Sequence, residues 1–155
     1  MQTDITLANQ SPSALDVVWF NAVDLDLNDT EDSGTGVFMA PGTILQTDED
    51  GITRATYTSS LAPTAWEIGE AGHVQSPLDD GTLLSNLLSA TSPFGPEDIE
   101  FAFQHNFSNL GAGNSVSYMT TLSLATVPEP SSVVSLVSLG VLGLVGYSWR
   151  RRKRS

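Results

Sequence analysis

The sequence predicts an all-β fold, an antiparallel β-sandwich of the immunoglobulin-like kind, followed by a single C-terminal transmembrane helix. Three observations carry that expectation. Short runs of β-branched, aromatic and alternating residues recur through residues 1–126 with Gly, Pro and Asp between them, the pattern of an antiparallel sandwich. The one long apolar run, Val133–Trp149, contains no charged residue. Arg150, Arg151, Arg152, Lys153 and Arg154 follow it at once, as basic residues do on the cytoplasmic side of a membrane span. The chain therefore divides into an exported, acidic β-rich domain at 1–126 and a terminal segment at 127–155.

In order along the first part, Ile5–Leu7 alternates weakly, and Leu15–Val23 is rich in β-formers. Residues 24–36 form an acidic loop. Gly36–Ala40 and Thr43–Thr47 are short strands broken at Pro41-Gly42, and Asp48-Glu49-Asp50-Gly51 is a turn signal that joins Ile44-Leu45 to Ile52–Thr58 as a hairpin. Ala65–Ile68 is a short strand around Trp66. Leu83–Leu88 has helical spacing, and Pro93 to Pro96 breaks the chain. Ile99, Phe101, Phe103 and Phe107 alternate with Glu100, Ala102, Gln104 and Asn106, a strand with one apolar and one wet face. His105 falls on the apolar side and reads as a satisfied, half-buried histidine. After an Asn109–Asn114 turn, Ser115–Ala125 carries Val116, Tyr118, Leu122 and Leu124 on one face, so these last two strands are expected to pair as a hairpin.

Charge is divided unevenly. Of six basic residues five are Arg150–Arg154, so residues 1–127 hold Arg54 alone against 17 Asp and Glu, a formal charge of −16. Such a surface repels nucleic acid, whose binding needs Lys and Arg on phosphates, and anionic membrane surfaces. It suits a solvated exterior, divalent cations or neutral polymers. The absence of cysteine removes disulfides and thiol chemistry. Met1-Gln2-Thr3-Asp4 has neither a basic n-region nor an apolar h-region, which leads us to expect an export signal upstream of this start.

The end of the chain has three parts in a fixed order. Val127, Pro128, Glu129 and Pro130 come first, with prolines that keep the backbone extended. The apolar run, extended by Ser131 and Ser132 to 131–149, spans roughly 25 Å over its 17 core residues at ~1.5 Å per residue, short but sufficient for a hydrocarbon core of about 30 Å. Tyr147 and Trp149 sit at its interfacial end, and Gly140, Gly143 and Gly146 offer a close-packing face. The basic cluster closes it. This arrangement resembles the PEP-CTERM sorting signal of Gram-negative bacteria, and the aromatic strand, glycine-rich turn and Ser/Thr-rich strand before it also look like the end of many such ectodomains. The resemblance implies transit through the inner membrane, recognition and cleavage by an exosortase (a membrane-embedded cysteine transpeptidase), release to the cell surface or beyond, and association with exopolysaccharide or biofilm. A plain C-terminal anchor with a Pro-rich stem is the competing reading.

Candidate chemistry elsewhere is sparse. Asp24, Asp26, Asn28 and Asp29 alternate carboxylate and amide oxygens along the acidic loop, the donor type calcium takes six to eight of. The loop is not an EF-hand, because Asp29 and Thr35 stand where glycine and glutamate are needed. A solvated loop explains the same residues without an ion. Asp48–Gly51 and Asp79-Asp80-Gly81 are turn signals. Trp66, read as more exposed than Trp19, is a candidate for stacking on a sugar ring. His73 and His105 lie too far apart in sequence for a zinc motif, and no serine stands in a nucleophile elbow. The expectation is a non-catalytic exported surface or matrix protein with no cofactor; the alternative is an extracellular carbohydrate- or calcium-binding module.

Overall fold

A computed structural model of the chain describes residues 1–27, 34–85 and 94–127. Met1–Ala125 forms one compact unit and Thr126–Ser155 a second. Among the described residues the strands are β1 (Gln2–Ala8), β2 (Leu15–Asp24), β3 (Gly34–Ala40), β4 (Thr43–Asp48), β5 (Thr53–Ser59), β6 (Ala65–Glu70), β7 (Phe94–Glu97), β8 (Ile99–Leu110) and β9 (Ser115–Thr126), with a short helix, α1 (Gln75–Asp79), between β6 and β7. They make a six-stranded sheet in the order β1-β9-β5-β4-β3-β7 and a three-stranded sheet in the order β2-β8-β6. The pairs β1–β9, β2–β8, β3–β4, β3–β7, β4–β5 and β6–β8 are antiparallel. The unit is all-β and sandwich-like.

Local chemistry explains the predicted hairpin between β4 and β5. The Asp50 carboxylate accepts from the Ile52 amide at 2.6 Å and the Thr53 amide at 3.2 Å, and the Gly51 amide donates to the Asp48 carbonyl at 2.9 Å. Gly51 has φ +70°, which glycine adopts without strain. Ile44 then falls opposite Tyr57, and both point into the layer between the sheets, where they meet Ile68, Ile99, Phe101 and Phe103. Tyr57 stacks on Phe103 at 5.5 Å and meets Phe101 at 5.6 Å. Burying these side chains, at roughly 1.5–3 kcal/mol each, is what holds the two sheets together.

The expected hairpin between β8 and β9 does not form. β8 is the central strand of the three-stranded sheet, whereas β9 lies between β1 and β5 in the other. The chain crosses from one sheet to the other through the Gly111–Asn114 turn, so the two strands face each other through side chains instead of pairing through backbones. Both carry apolar stripes, and the sandwich buries both by putting the stripes on opposite walls of one layer. His105 of β8 accordingly meets Tyr118 of β9 with ring centroids 4.6 Å apart. Asn9, in the loop after β1, ties this end together. Its Nδ2 donates to the carbonyls of Ser13 and Leu110 at 2.8 and 2.7 Å, and its Oδ1 accepts from the Ser11 amide at 2.9 Å.

Two further expectations are corrected. The alternate face of β8 is wet only at Asn106, which is exposed: Glu100 is 8% exposed, Ala102 0% and Gln104 2%. Residues 71–85, which include α1, cover it, with Val74, Leu78 and Leu84 packed over Ala65, Ala102 and Phe20. Within the helical expectation at Leu83–Leu88, residues 83–85 are irregular and residues 86–88 lie outside the described part. Leu84 is buried as a plug in that cover instead of lining a helix. The short helix sits earlier, where Glu100 accepts from the amides of Val74 and Gln75, the first donors of a helix that has no side-chain cap of its own.

Candidate functional site

β9 leads directly to the sorting segment. It ends at Thr126, and Val127 follows as a half-buried residue outside the strand. Pro128, Glu129 and Pro130, the apolar stretch 131–149 and the basic residues Arg150, Arg151, Arg152, Lys153 and Arg154 lie outside the described residues. Among the described residues no helix is long and apolar enough to cross a membrane.

The acidic candidate is partly brought together. Asp24 closes β2 and Asp26 follows it; their carboxylates converge with that of Asp98, from the junction of β7 and β8, all within 4.8 Å of one another. Asn28 and Asp29 lie outside the described residues. Asp24 and Asp26 are exposed and Asp98 half-buried, so three oxygen ligands stand at the protein surface, where a hard cation would complete its shell with water. Asp98 was invisible to sequence reasoning because it lies far along the chain; the pairing of Asp24 with Glu100 is what carries it there. Asp48 and Asp50 are engaged in their turn, and Asp79 accepts from Gln75 Nε2 at 2.7 Å.

The tryptophans exchange the exposures expected of them. Trp66 packs against the core and stacks on Phe38 with centroids 4.1 Å apart and planes 7° from parallel. Trp19 is 38% exposed and lines an open trough of about 340 Å³ with Leu7, Leu15, Val17 and Leu110, rimmed by Thr6, Gln10 and Ser11. The trough lies between β1 and β2, each an edge strand of its sheet.

The two histidines have different surroundings. His73 Nε2 is 3.2 Å from Glu67 Oε1, and Ser85 Oγ lies 3.4 Å from Glu67 Oε2. The carboxylate thus stands between the histidine and the serine, whereas nucleophile activation needs the imidazole in the middle. His105 is 1% exposed, and neither ring nitrogen has a hydrogen-bond partner, which corrects the expectation of a satisfied histidine. Burial pushes its pKa below the ordinary histidine value. Tyr118 donates to Asn21 Oδ1 at 2.5 Å, and burial, reinforced by Tyr57, pushes its hydroxyl up to about 12.

A sandwich-like acidic domain running straight into a Pro-Glu-Pro segment, an apolar stretch and a basic end has the organisation of a substrate for a sorting enzyme. Comparison with known families agrees: residues 126–153 match the PEP-CTERM protein-sorting motif. The chain carries that motif, which marks an exosortase-targeted surface protein, held at the membrane in transit and then exported. Residues 1–125 lie outside the match. No curated protein matches the chain.

Proposed function

We propose that this chain is a non-catalytic surface or matrix protein, cleaved by an exosortase near Pro128–Pro130 and retained with exopolysaccharide in the biofilm. The sorting motif at 126–153 supports this most. The apolar stretch 131–149 then spans the inner membrane with Arg150–Arg154 in the cytoplasm, and the acidic domain lies outside. The open trough at Trp19, lined by apolar and uncharged polar side chains, accords with a binding role. Two layers of antiparallel strands also support an immunoglobulin-like affiliation, which superposition of strand connections on such a domain would test. The functional test is intact mass of the protein from its native cells, fractionated into membrane, surface and medium. A product ending near Pro128–Pro130 in the surface or medium is the expected result, and Glu129→Ala should leave most of the chain uncut. A chain ending at Ser155 in the membrane fraction would replace this reading with a plain anchor.

The convergence of Asp24, Asp26 and Asp98 favours a second reading, a calcium-binding module. Calcium would raise the thermal midpoint of the wild-type protein by mass action and that of Asp98→Asn much less. Equal midpoints with and without calcium would remove this reading.

A further inference from the structure

The inward stripe of β8 reads Ile99, Phe101, Phe103, His105 and Phe107, four apolar residues and one imidazole. His105 is as withdrawn from water as Phe101 and Phe103, whereas Phe107 is half-buried. Its ring lies 4.6 Å from that of Tyr118 and 6.3 Å from that of Phe107, and Trp19 is its neighbour across the β2–β8 ladder. A neutral imidazole always carries one N–H, so a donor is buried here without an acceptor, and both nitrogens lack partners. The groups around it offer no relief. From β9 comes Tyr118, whose hydroxyl is committed to Asn21 and stays neutral. From β5 comes Tyr57, set against Phe103 and also neutral, its pKa raised by burial. β2 presents Trp19 and Asn21, β1 presents Ile5 beside Tyr118, and β6 presents Trp66 beside Phe103. Among the described residues no carboxylate pairs with His105.

We propose that His105 is an acid-operated wedge, whose protonation parts β8 from β9 and opens the sandwich at the end where the chain crosses between sheets. The imidazolium has two N–H donors and a full charge, and this site supplies neither an acceptor nor a counter-ion. Separation of the two walls there lets water reach it, uncovering Tyr118 and widening the exposure of Trp19 and Phe107. The direction of the response follows from linkage. The folded state holds the imidazole neutral below its ordinary value of about 6.5, whereas the unfolded chain takes up the proton there. Stability from this site is therefore complete above about pH 6.5 and declines as pH falls from there towards the lowered folded value. Phenylalanine would fill the position without any titrating group, which makes it the natural comparison.

The test uses the full chain in nonionic detergent. His73→Gln leaves His105 as the sole imidazole, so its NMR signal can be followed against pH beside the ring signals of Tyr118. The folded-state His105 signal should not titrate near pH 6.5, and at lower pH it should disappear together with the native Tyr118 signals. In urea, the folded-to-unfolded ratio of the wild type should fall up to about tenfold per pH unit below 6.5, relative to His105→Phe. Titration near pH 6.5 with native Tyr118 signals retained would overturn the proposal. So would the same pH slope in His105→Phe as in wild type. If His105→Phe does not fold, the NMR titration of the His73→Gln protein decides alone.

Discussion

Glu100 and Gln104 on one face of β8, and His105 on the other, are all withdrawn from water, yet only the first two have partners. Glu100 accepts from Val74 and Gln75, and Gln104 accepts from Leu84 at 2.8 Å while donating to Asn106 at 2.8 Å. The difference lies in what covers each face. Residues 71–85 are largely irregular, so their backbone amides are free to turn towards the sheet and satisfy its polar side chains. Across the inner layer stands another sheet, whose amides are spent in its own ladders, and stacked sheets lie about 10 Å apart. His105, pointing inward at that layer, meets only other side chains. The outer face of β8 therefore tolerates polar residues, and the inner face holds one under strain of desolvation.

Three substitutions grade that contrast. Phe103→Ala removes a side chain that is 0% exposed and stacked on Tyr57; a loss of about 3–5 kcal/mol is expected from the urea midpoint, enough to leave a domain of ordinary stability marginal. Glu100→Ala should lose about 2–3 kcal/mol, because it strands two amides beneath the cover. Hydrogen exchange should then accelerate at Val74 and Gln75 while the amides of β4 and β5 remain protected. Gln104→Leu keeps the volume and removes one acceptor, so about 1–2 kcal/mol is expected, with faster exchange confined to Leu84 and its neighbours. An unchanged exchange rate at Val74 in Glu100→Ala would mean that packing of Val74 and Leu84 alone holds the cover in place.

The strands were legible because their period-two patterns are local. Leu15–Val23, Thr43–Thr47 and Ile99–Phe107 all fall within observed strands, and the Asp-Glu-Asp-Gly turn announced its hairpin. What periodicity does not encode is the neighbour of each strand. The stripes of β8 and β9 are satisfied equally by lying side by side or by facing each other, and the choice depends on β1, β2, β5 and β6, which compete for their backbones. The same blindness hid Asp98, delivered to Asp24 and Asp26 by tertiary pairing, and the cover over Glu100, whose alternation looked wet. β7 escaped notice because Pro93 and Pro96 mark a break, although an edge strand accommodates proline. The greater exposure of Trp19 over Trp66 is not legible in the sequence, since a strand sequence does not reveal that its strand lies at a sheet edge. The sorting motif is legible because its recognition depends on the order of short segments along the chain and not on tertiary assembly.

β1 pairs with β9, the strand that leads to the sorting motif. β1 runs along β9 from Gln2 opposite Thr121 to Ala8 opposite Ser115, the Leu122 amide donates to the Met1 carbonyl at 2.8 Å, and on the other side of β9 the Ser60 amide donates to the Met119 carbonyl at 2.8 Å. Ladder hydrogen bonds lie perpendicular to the strands. A pull directed along β9 loads the bonds on both its sides together in shear instead of opening them one at a time. The strand that ends in the sorting motif is thus the one through which the domain is best built to be held.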